Sequence, residues 1–87
     1  MPKLPRVKAE EVIRALERLG FERVRQRGSH VIMKRQFSIN DDLEEVPQEV
    51  IEIGCVIPLH RKTLAVGTLK NILRQAEVSV EELLANL

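Results

Sequence analysis

The sequence predicts an α+β fold in which helices cover one face of a three-stranded antiparallel sheet. Apolar residues recur at helical spacing near both ends of the chain, and segments with strand-like alternation or β-branched residues lie between them. The chain has 87 residues, of which 44% are hydrophobic and 31% charged. This length and balance are typical of one small globular domain, so we expect residues 1–87 to form a single domain.

The first helix is predicted over residues 8–19. Its apolar side chains recur every three or four residues and so share one face: Ala9, Val12, Ile13, Leu16 and Leu19. Gly20 should end the helix, because the residue after a helix often adopts a positive φ. Residues 1–7 contain two prolines, which donate no backbone hydrogen bond, and we expect them to be extended or loose.

A β-hairpin with basic residues on both arms should follow. The first strand is predicted over residues 21–27, and which of its sides is buried stays open. Alternation places four side chains together on one side: Phe21, Arg23, Arg25 and Arg27. Gly28 and Ser29 predict a tight turn, and the second strand runs from residue 30 to 35, with room to continue through residues 36–39.

The second half of the chain supplies one more strand and two helices. Residues 40–48 are acidic and contain Pro47, which predicts a solvent loop. The β-branched stretch 50–59 predicts a strand, in which Gly54 suggests a bulge and Pro58 a strand end or an edge position. After a connection over residues 60–66, a helix is predicted over 68–76. Ser79 and Glu82 match a capping box, which predicts a short last helix.

The helical periodicities also predict the core between helices and sheet. The side chains that we expect to be buried come from all three helices: Val12, Leu16, Leu19, Leu69, Ile72, Leu73 and Leu83.

Composition excludes several classes of function. Two Phe and no Tyr or Trp argue against nucleic-acid binding on aromatic stacking platforms. The single cysteine, Cys55, excludes an intramolecular disulfide and a cysteine-based zinc site, and the spacing of the two histidines predicts no metal site. No apolar run approaches the roughly 20 residues of a membrane span, and the N-terminus lacks a signal-peptide pattern. We therefore expect a reducing, cytoplasmic setting, no membrane association, no metal and no other cofactor.

Charge is distributed unevenly although the net charge is only +1. Residues 1–35 hold ten Lys or Arg against four Glu, whereas residues 36–57 hold six acids and no Lys or Arg. A basic half of this kind can bind a polyanion such as RNA. The alternative is a solvated basic face that the acidic segment balances, and charge alone does not choose between them.

The most unusual local feature is Gly28-Ser29-His30. The glycine permits a tight turn, and the histidine then stands at the rigid start of a strand, where its imidazole can take or give a proton near pH 7. Nearby cations can hold phosphate oxygens: Arg25, Arg27, Lys34 and Arg35. A base beside a phosphate clamp is what RNA cleavage through the 2′-hydroxyl requires. The alternative is a simple turn with a histidine that the backbone satisfies, which an isolated motif of this kind favours.

Two further residues bear on chemistry. His60 follows Pro58-Leu59 at a strand end, where it could serve as a second proton-transfer group or simply close the turn. Cys55 lies in an apolar run with no base beside it in sequence, so we expect it to be a small core residue.

Four segments, in order over nearly the whole chain, resemble the HicA family, the mRNA interferase toxins of HicAB toxin–antitoxin systems. The first is LERLGF at 16–21, similar to the family's "L..LGF", and the second is GSH at 28–30. The third is VIPLH at 56–60, like "V.VP.H", and the fourth is GTLKNILRQA at 67–76, like "GTLR.ILKQAG".

The resemblance implies a double-stranded-RNA-binding-domain-like fold, ordered α-β-β-β-α, here with a short C-terminal helix. It implies endoribonuclease activity on mRNA, centred on His30 as general base, and a HicB-like antitoxin that binds and blocks the toxin. The candidate RNA-binding residues are those of the basic hairpin: Arg25, Arg27, Gly28, Ser29, Lys34 and Arg35.

Two departures from the family's pattern affect the expected activity. An acidic stretch over residues 36–53 stands where the family has a short turn, and Ile32 and Met33 stand where an aromatic residue commonly follows the histidine. Two alternatives to an RNA-cleaving toxin therefore stay open. One is a non-catalytic RNA- or protein-binding module on the same fold, and the other is a small subunit that uses its sheet and acidic loop only for protein contacts.

Overall fold

The computed structural model describes residues 4–38, 50–59 and 63–87. The elements follow the order α1 (Ala9–Arg18), β1 (Glu22–Arg27), β2 (His30–Ser38), β3 (Val50–Pro58), α2 (Val66–Ala76) and α3 (Val80–Asn86). The strands form one antiparallel sheet in the order β1-β2-β3. This confirms the predicted α+β fold, and the strand extension through residue 38. Ile39 and the predicted acidic loop at 40–48 lie outside the described residues.

The helices cover one face of the sheet, and the core lies between the two layers. Helix α2 packs on β3, and α1 packs against α3 and β3. Buried side chains come from every helix and from the two strands β2 and β3: Val12, Ile13, Leu16, Val31, Met33, Cys55, Ile57, Leu69, Ile72, Leu73 and Leu83. Six of the seven predicted core positions are therefore buried. Leu19 is only half-buried, because it follows the last turn of α1 at the margin of the core.

The end of α1 confirms the role predicted for Gly20. This glycine has φ +101°, and its N–H donates to the carbonyl of Glu17 at 3.1 Å. The N–H of Phe21 donates to the carbonyl of Leu16 at 2.9 Å, which completes a Schellman motif. Phe21 thus belongs to the cap and is buried in the core, and β1 begins one residue later than predicted.

The other helix ends follow local signals to different degrees. Ser79 and Glu82 form the predicted capping box, with the N–H of Glu82 donating to Ser79 Oγ and the N–H of Ser79 donating to Glu82 Oε1, both at 3.1 Å. Helix α2 begins at Val66, two residues before the predicted start, and its N-cap Ala65 has no side-chain acceptor that would mark the boundary.

The third strand differs from prediction at Gly54. The register between β2 and β3 is continuous from Ser38–Val50 to His30–Pro58, so Gly54 pairs with Lys34 and forms no bulge. Pro58 ends this edge strand, as predicted. The N–H of Val56 donates to Gln75 Oε1 of α2 at 3.2 Å, which satisfies one of the donors on the open edge.

The N-terminal segment is held more firmly than its prolines predicted. The N–H of Leu64 donates to the carbonyl of Val7 at 2.9 Å, and Lys8 forms a β-bridge with Thr63. Val7 and Leu64 are both buried in the core. Residues 63–64, which lead into α2, are thereby fixed against the start of α1. Within the described parts of the chain, no helix is long and apolar enough to cross a membrane.

Candidate active site and nucleic-acid interface

The β1–β2 hairpin fixes the position of His30. Gly28 has φ +54°, as two-residue hairpin turns with glycine at the first central position require. The side-chain Nε2 of Gln26 donates to the carbonyl of Gly28 at 3.0 Å and so stabilises the turn. His30 is the first residue of β2, where it pairs with Arg27 on one side and Pro58 on the other. Its side chain is exposed.

The turn is also tied to the end of β3. The N–H of Leu59 donates to the carbonyl of Ser29, which extends the strand pairing one step beyond Pro58. Three segments therefore meet at His30: the end of β1, the hairpin turn and the end of β3. His60, the second candidate for proton transfer, directly follows Leu59 in sequence and lies outside the described residues.

Strand pairing determines which cations share a face with His30. Directly paired residues in an antiparallel sheet lie on the same face. Arg27 pairs with His30, and Arg25 pairs with Ile32, so both arginines lie with His30 on the face turned away from the helices. We call this the outer face; its β2 residues are His30, Ile32, Lys34 and Gln36. The helix-facing side carries the buried Val31 and Met33.

A bulge in β1 corrects the predicted alternation of its arginines. The register shifts between Arg23, which pairs with Met33, and Arg25, which pairs with Ile32, so Val24 is an extra residue. Arg23 consequently leaves the face of Arg25 and Arg27 and lies on the helix-facing side. There its guanidinium contacts Glu10 Oε2 of α1 at 3.3 Å.

The remaining predicted RNA-binding residues lie apart from His30. Lys34 is on the outer face but is four residues along β2, and its Nζ forms an ion pair with Glu52 Oε1 at 3.0 Å. Arg35 is on the helix-facing side, where its Cζ lies 5.8 Å from the centroid of the Phe37 ring. The hairpin thus brings together His30, Arg25, Arg27 and the Gly28-Ser29 turn.

A model of the family described as "HicA toxin of bacterial toxin-antitoxin" matches residues 9–78, from the start of α1 to the residue that precedes the cap of α3. The chain belongs to the HicA toxin family. The match spans the end of α1, the hairpin, the third strand and α2, which are the segments that carry the family-like motifs. A comparison of the sequence with curated proteins found no match.

In this HicA toxin, Glu52 is a polar residue of the outer face that sequence reasoning did not single out. Gln36 Nε2 donates to Glu52 Oε2 at 2.8 Å, and Lys34 pairs with the other carboxylate oxygen. The hydrogen bond from Gln36 and the nearby Lys34 lower the pKa of Glu52 below its ordinary value. Glu52 could have been identified only from the pairing of Gln36 with Glu52. That register is not visible in the sequence, because it depends on the segment that joins β2 to β3.

Cys55 takes the core role that its apolar neighbours predicted. It is buried on the helix-facing side of β3, opposite Met33, and burial raises the pKa of its thiol to about 11. A thiol that stays protonated in an apolar site is a poor nucleophile. Among residues 4–38, 50–59 and 63–87, no group of three or more His, Cys, Asp or Glu side chains is arranged to hold a metal ion.

Proposed function

We propose that this HicA toxin is an endoribonuclease that cleaves mRNA without a metal ion, with His30 as general base. The observation that carries the proposal is that His30, Arg25 and Arg27 lie on one open face of a rigid hairpin. A base and two guanidinium groups on one face can engage a 2′-hydroxyl and the adjacent phosphate of the same RNA strand.

The proposed reaction follows from these groups. The imidazole of His30 removes the proton from a 2′-hydroxyl, and the 2′-oxygen forms a bond to the adjacent phosphorus. The bond from phosphorus to the 5′-oxygen of the next nucleotide breaks, and that oxygen takes a proton from water. The hydroxide that remains takes the proton from the imidazolium of His30, which restores the base. The products are a 2′,3′-cyclic phosphate and a 5′-hydroxyl end. Arg25 and Arg27 stabilise the negative charge that accumulates on the phosphate oxygens.

The position of His30 suits this role because little at the site has to move. It stands between two paired neighbours at the start of a strand whose turn is tied to the end of β3. A catalytic group that is held by hydrogen-bonded strands requires little reorganisation when substrate binds.

The partner that we propose is a HicB-like antitoxin that covers the outer face and blocks access to His30. Membership of a toxin–antitoxin family supports a partner of this kind. The substrate and the setting would then be mRNA in the cytoplasm. His30→Ala should relieve the growth arrest caused by expression of the toxin while binding of a co-expressed antitoxin persists, because the partner surface is larger than one side chain.

Cleavage of one labelled RNA by the purified chain tests the activity. EDTA should leave the rate unchanged, and the products should carry 2′,3′-cyclic phosphate ends. His30→Gln keeps a polar group but loses the titratable nitrogen, so it should be nearly as inactive as His30→Ala. If neither wild type nor variant cleaves while RNA still binds, the chain is a binding module on the same fold.

A further inference from the structure

A cavity of about 340 Å³ opens on the outer face of the sheet, beyond the Arg25–Ile32 pair as seen from His30. Residues from the α1–β1 turn and from all three strands line it: Gly20, Glu22, Val24, Lys34, Gln36 and Glu52. From His30 to Lys34 is four residues along an extended strand, or roughly 13 Å. An RNA strand held at His30 could cover this distance in a few nucleotides, so the cavity is within reach of the same RNA molecule.

Three polar side chains that line the cavity contact one another. One oxygen of the Glu52 carboxylate contacts Lys34 Nζ at 3.0 Å, and the other accepts from Gln36 Nε2 at 2.8 Å. Both neighbours lower the pKa of Glu52, and an ionised carboxylate offers only hydrogen-bond acceptors. A carboxylate has about four lone-pair sites, so two contacts leave acceptor capacity on both oxygens. The ammonium of Lys34 has three N–H donors, so contact with Glu52 leaves donors for a ligand.

Lys34 packs over Gly54 of the neighbouring strand. Gly54 stands opposite Lys34 in the register, and a Cβ at this glycine would lie 3.5 Å from Cγ and 4.0 Å from Cε of Lys34. The aliphatic part of Lys34 therefore lies at ordinary van der Waals distance from such a Cβ, and its ammonium contacts Glu52.

Between the cavity and His30, apolar residues of β2 and β3 lie beside Arg25 on the outer face. Ile32 and Val56 pair with each other on the outer face, and Val56 is exposed. A ribose or the face of a base can pack on such a surface without an aromatic side chain. Along the outer face lie, in order, the two arginines beside His30, the Ile32–Val56 pair and the polar cavity.

We propose that the cavity binds a guanine base of the RNA strand whose phosphate lies at His30, an inference that rests on the proposed function. Guanine presents two adjacent donors, N1–H and the N2 amino group, beside the acceptor O6. The donors match the two oxygens of Glu52, and O6 matches the ammonium of Lys34. Adenine would turn an acceptor, N1, toward the carboxylate, and uracil and cytosine present at most one donor group beside their acceptors.

Binding of uncleavable RNA tests the proposal independently of catalysis. The probes are short 2′-O-methyl RNA oligomers that contain one guanosine, one inosine or one adenosine in an otherwise identical sequence. Inosine lacks the N2 amino group, so it removes one of the two donors. Wild type should prefer guanosine to adenosine by roughly 5- to 150-fold, the range for one bidentate base contact, with inosine between them. Fluorescence anisotropy at constant salt measures the affinities.

Two variants separate base recognition from charge. Glu52→Gln replaces an acceptor by a donor and should remove the guanosine preference. Glu17→Gln removes the same charge from an exposed position on α1 and should leave the preference intact. Equal affinity of wild type for the three oligomers, or a guanosine preference that survives Glu52→Gln, would overturn the guanine site.

Sequencing the cleavage products of a randomised RNA pool distinguishes this inference from the proposed function. Guanine should be enriched at a fixed distance from the cleaved bond with wild type and not with Glu52→Gln. Cleavage without base enrichment would refute the guanine site and leave the nuclease proposal standing. If the chain cleaves nothing, the nuclease proposal fails, and the binding measurements still decide whether the cavity takes guanine.

Discussion

Arginines on opposite faces of the sheet give a direct test of where RNA binds. Arg25 and Arg27 lie on the outer face with His30, whereas Arg35 lies on the helix-facing side. If the outer face is the RNA-binding face, Arg25→Ala combined with Arg27→Ala should remove two phosphate contacts. Arg35→Ala should remove none, although each substitution takes away a positive charge. The change in RNA affinity should depend on which face loses the charge, and not on the net charge of the variant.

The magnitude follows from counterion release. For single-stranded nucleic acid, the logarithm of affinity falls with the logarithm of salt by about 0.7 per phosphate contacted. Loss of two contacts should therefore lower the slope by about 1.4. When the salt concentration rises about fourfold, the ratio of the RNA affinity of wild type to that of the double variant should fall by about sevenfold.

The assay is fluorescence anisotropy with a labelled 2′-O-methyl RNA, which keeps the phosphates and lacks the nucleophile. Affinities are measured between roughly 50 and 200 mM salt, the range over which counterion release is pronounced. Arg35→Ala combined with Arg74→Ala, the latter on the exposed side of α2, serves as the charge-matched control, and Arg35→Ala alone tests the helix-facing side. Circular dichroism confirms that each variant is folded. An equal loss of slope for Arg35→Ala would refute the assignment of RNA binding to the outer face.

Three further predictions concern the scaffold. Leu73→Ala, at a buried position of α2, should lower the free energy of unfolding by about 2–5 kcal/mol in chemical denaturation, and a loss below 1 kcal/mol would contradict the packed core. Gly28→Ala should cost about 1–2 kcal/mol, because φ +54° strains a residue with a Cβ although nothing lies within 4 Å, whereas Gly67→Ala in α2 should be neutral or stabilising. Iodoacetamide at pH 8 should alkylate Cys55 far more slowly in the folded chain than in urea, since burial raises the pKa of its thiol to about 11; similar rates would show that the thiol is accessible.

The helices were predictable because their signals are local. The apolar periodicity of α1 and α2 marks the buried faces, and Gly20 and Ser79 act within one turn of the helix ends that they cap. The start of α2 was less predictable, because its N-cap is Ala65, which offers no side-chain acceptor. Val7 gave no local sign of burial either, since its place in the core depends on Leu64, far along the chain.

The site was predictable in part. The Gly28-Ser29-His30 motif identified the turn and the histidine, because a two-residue hairpin needs a residue that tolerates a positive φ. The faces of the arginines were not predictable, since the extra residue Val24 interrupts the alternation without a glycine or proline to announce it. The contact between Gln36 and Glu52 depends on the register of two strands that a long segment separates, so no short-range pattern reveals it.

The central claim is that His30 is the general base of RNA cleavage, and comparison of purified wild type with His30→Ala on one RNA at matched concentration tests it most directly. Wild type should cleave, and the variant should be slower by roughly 10²–10⁴-fold while it folds and binds RNA as wild type does. Equal cleavage by the two proteins would contradict the account and assign the catalytic group elsewhere, with His60 the next residue to replace.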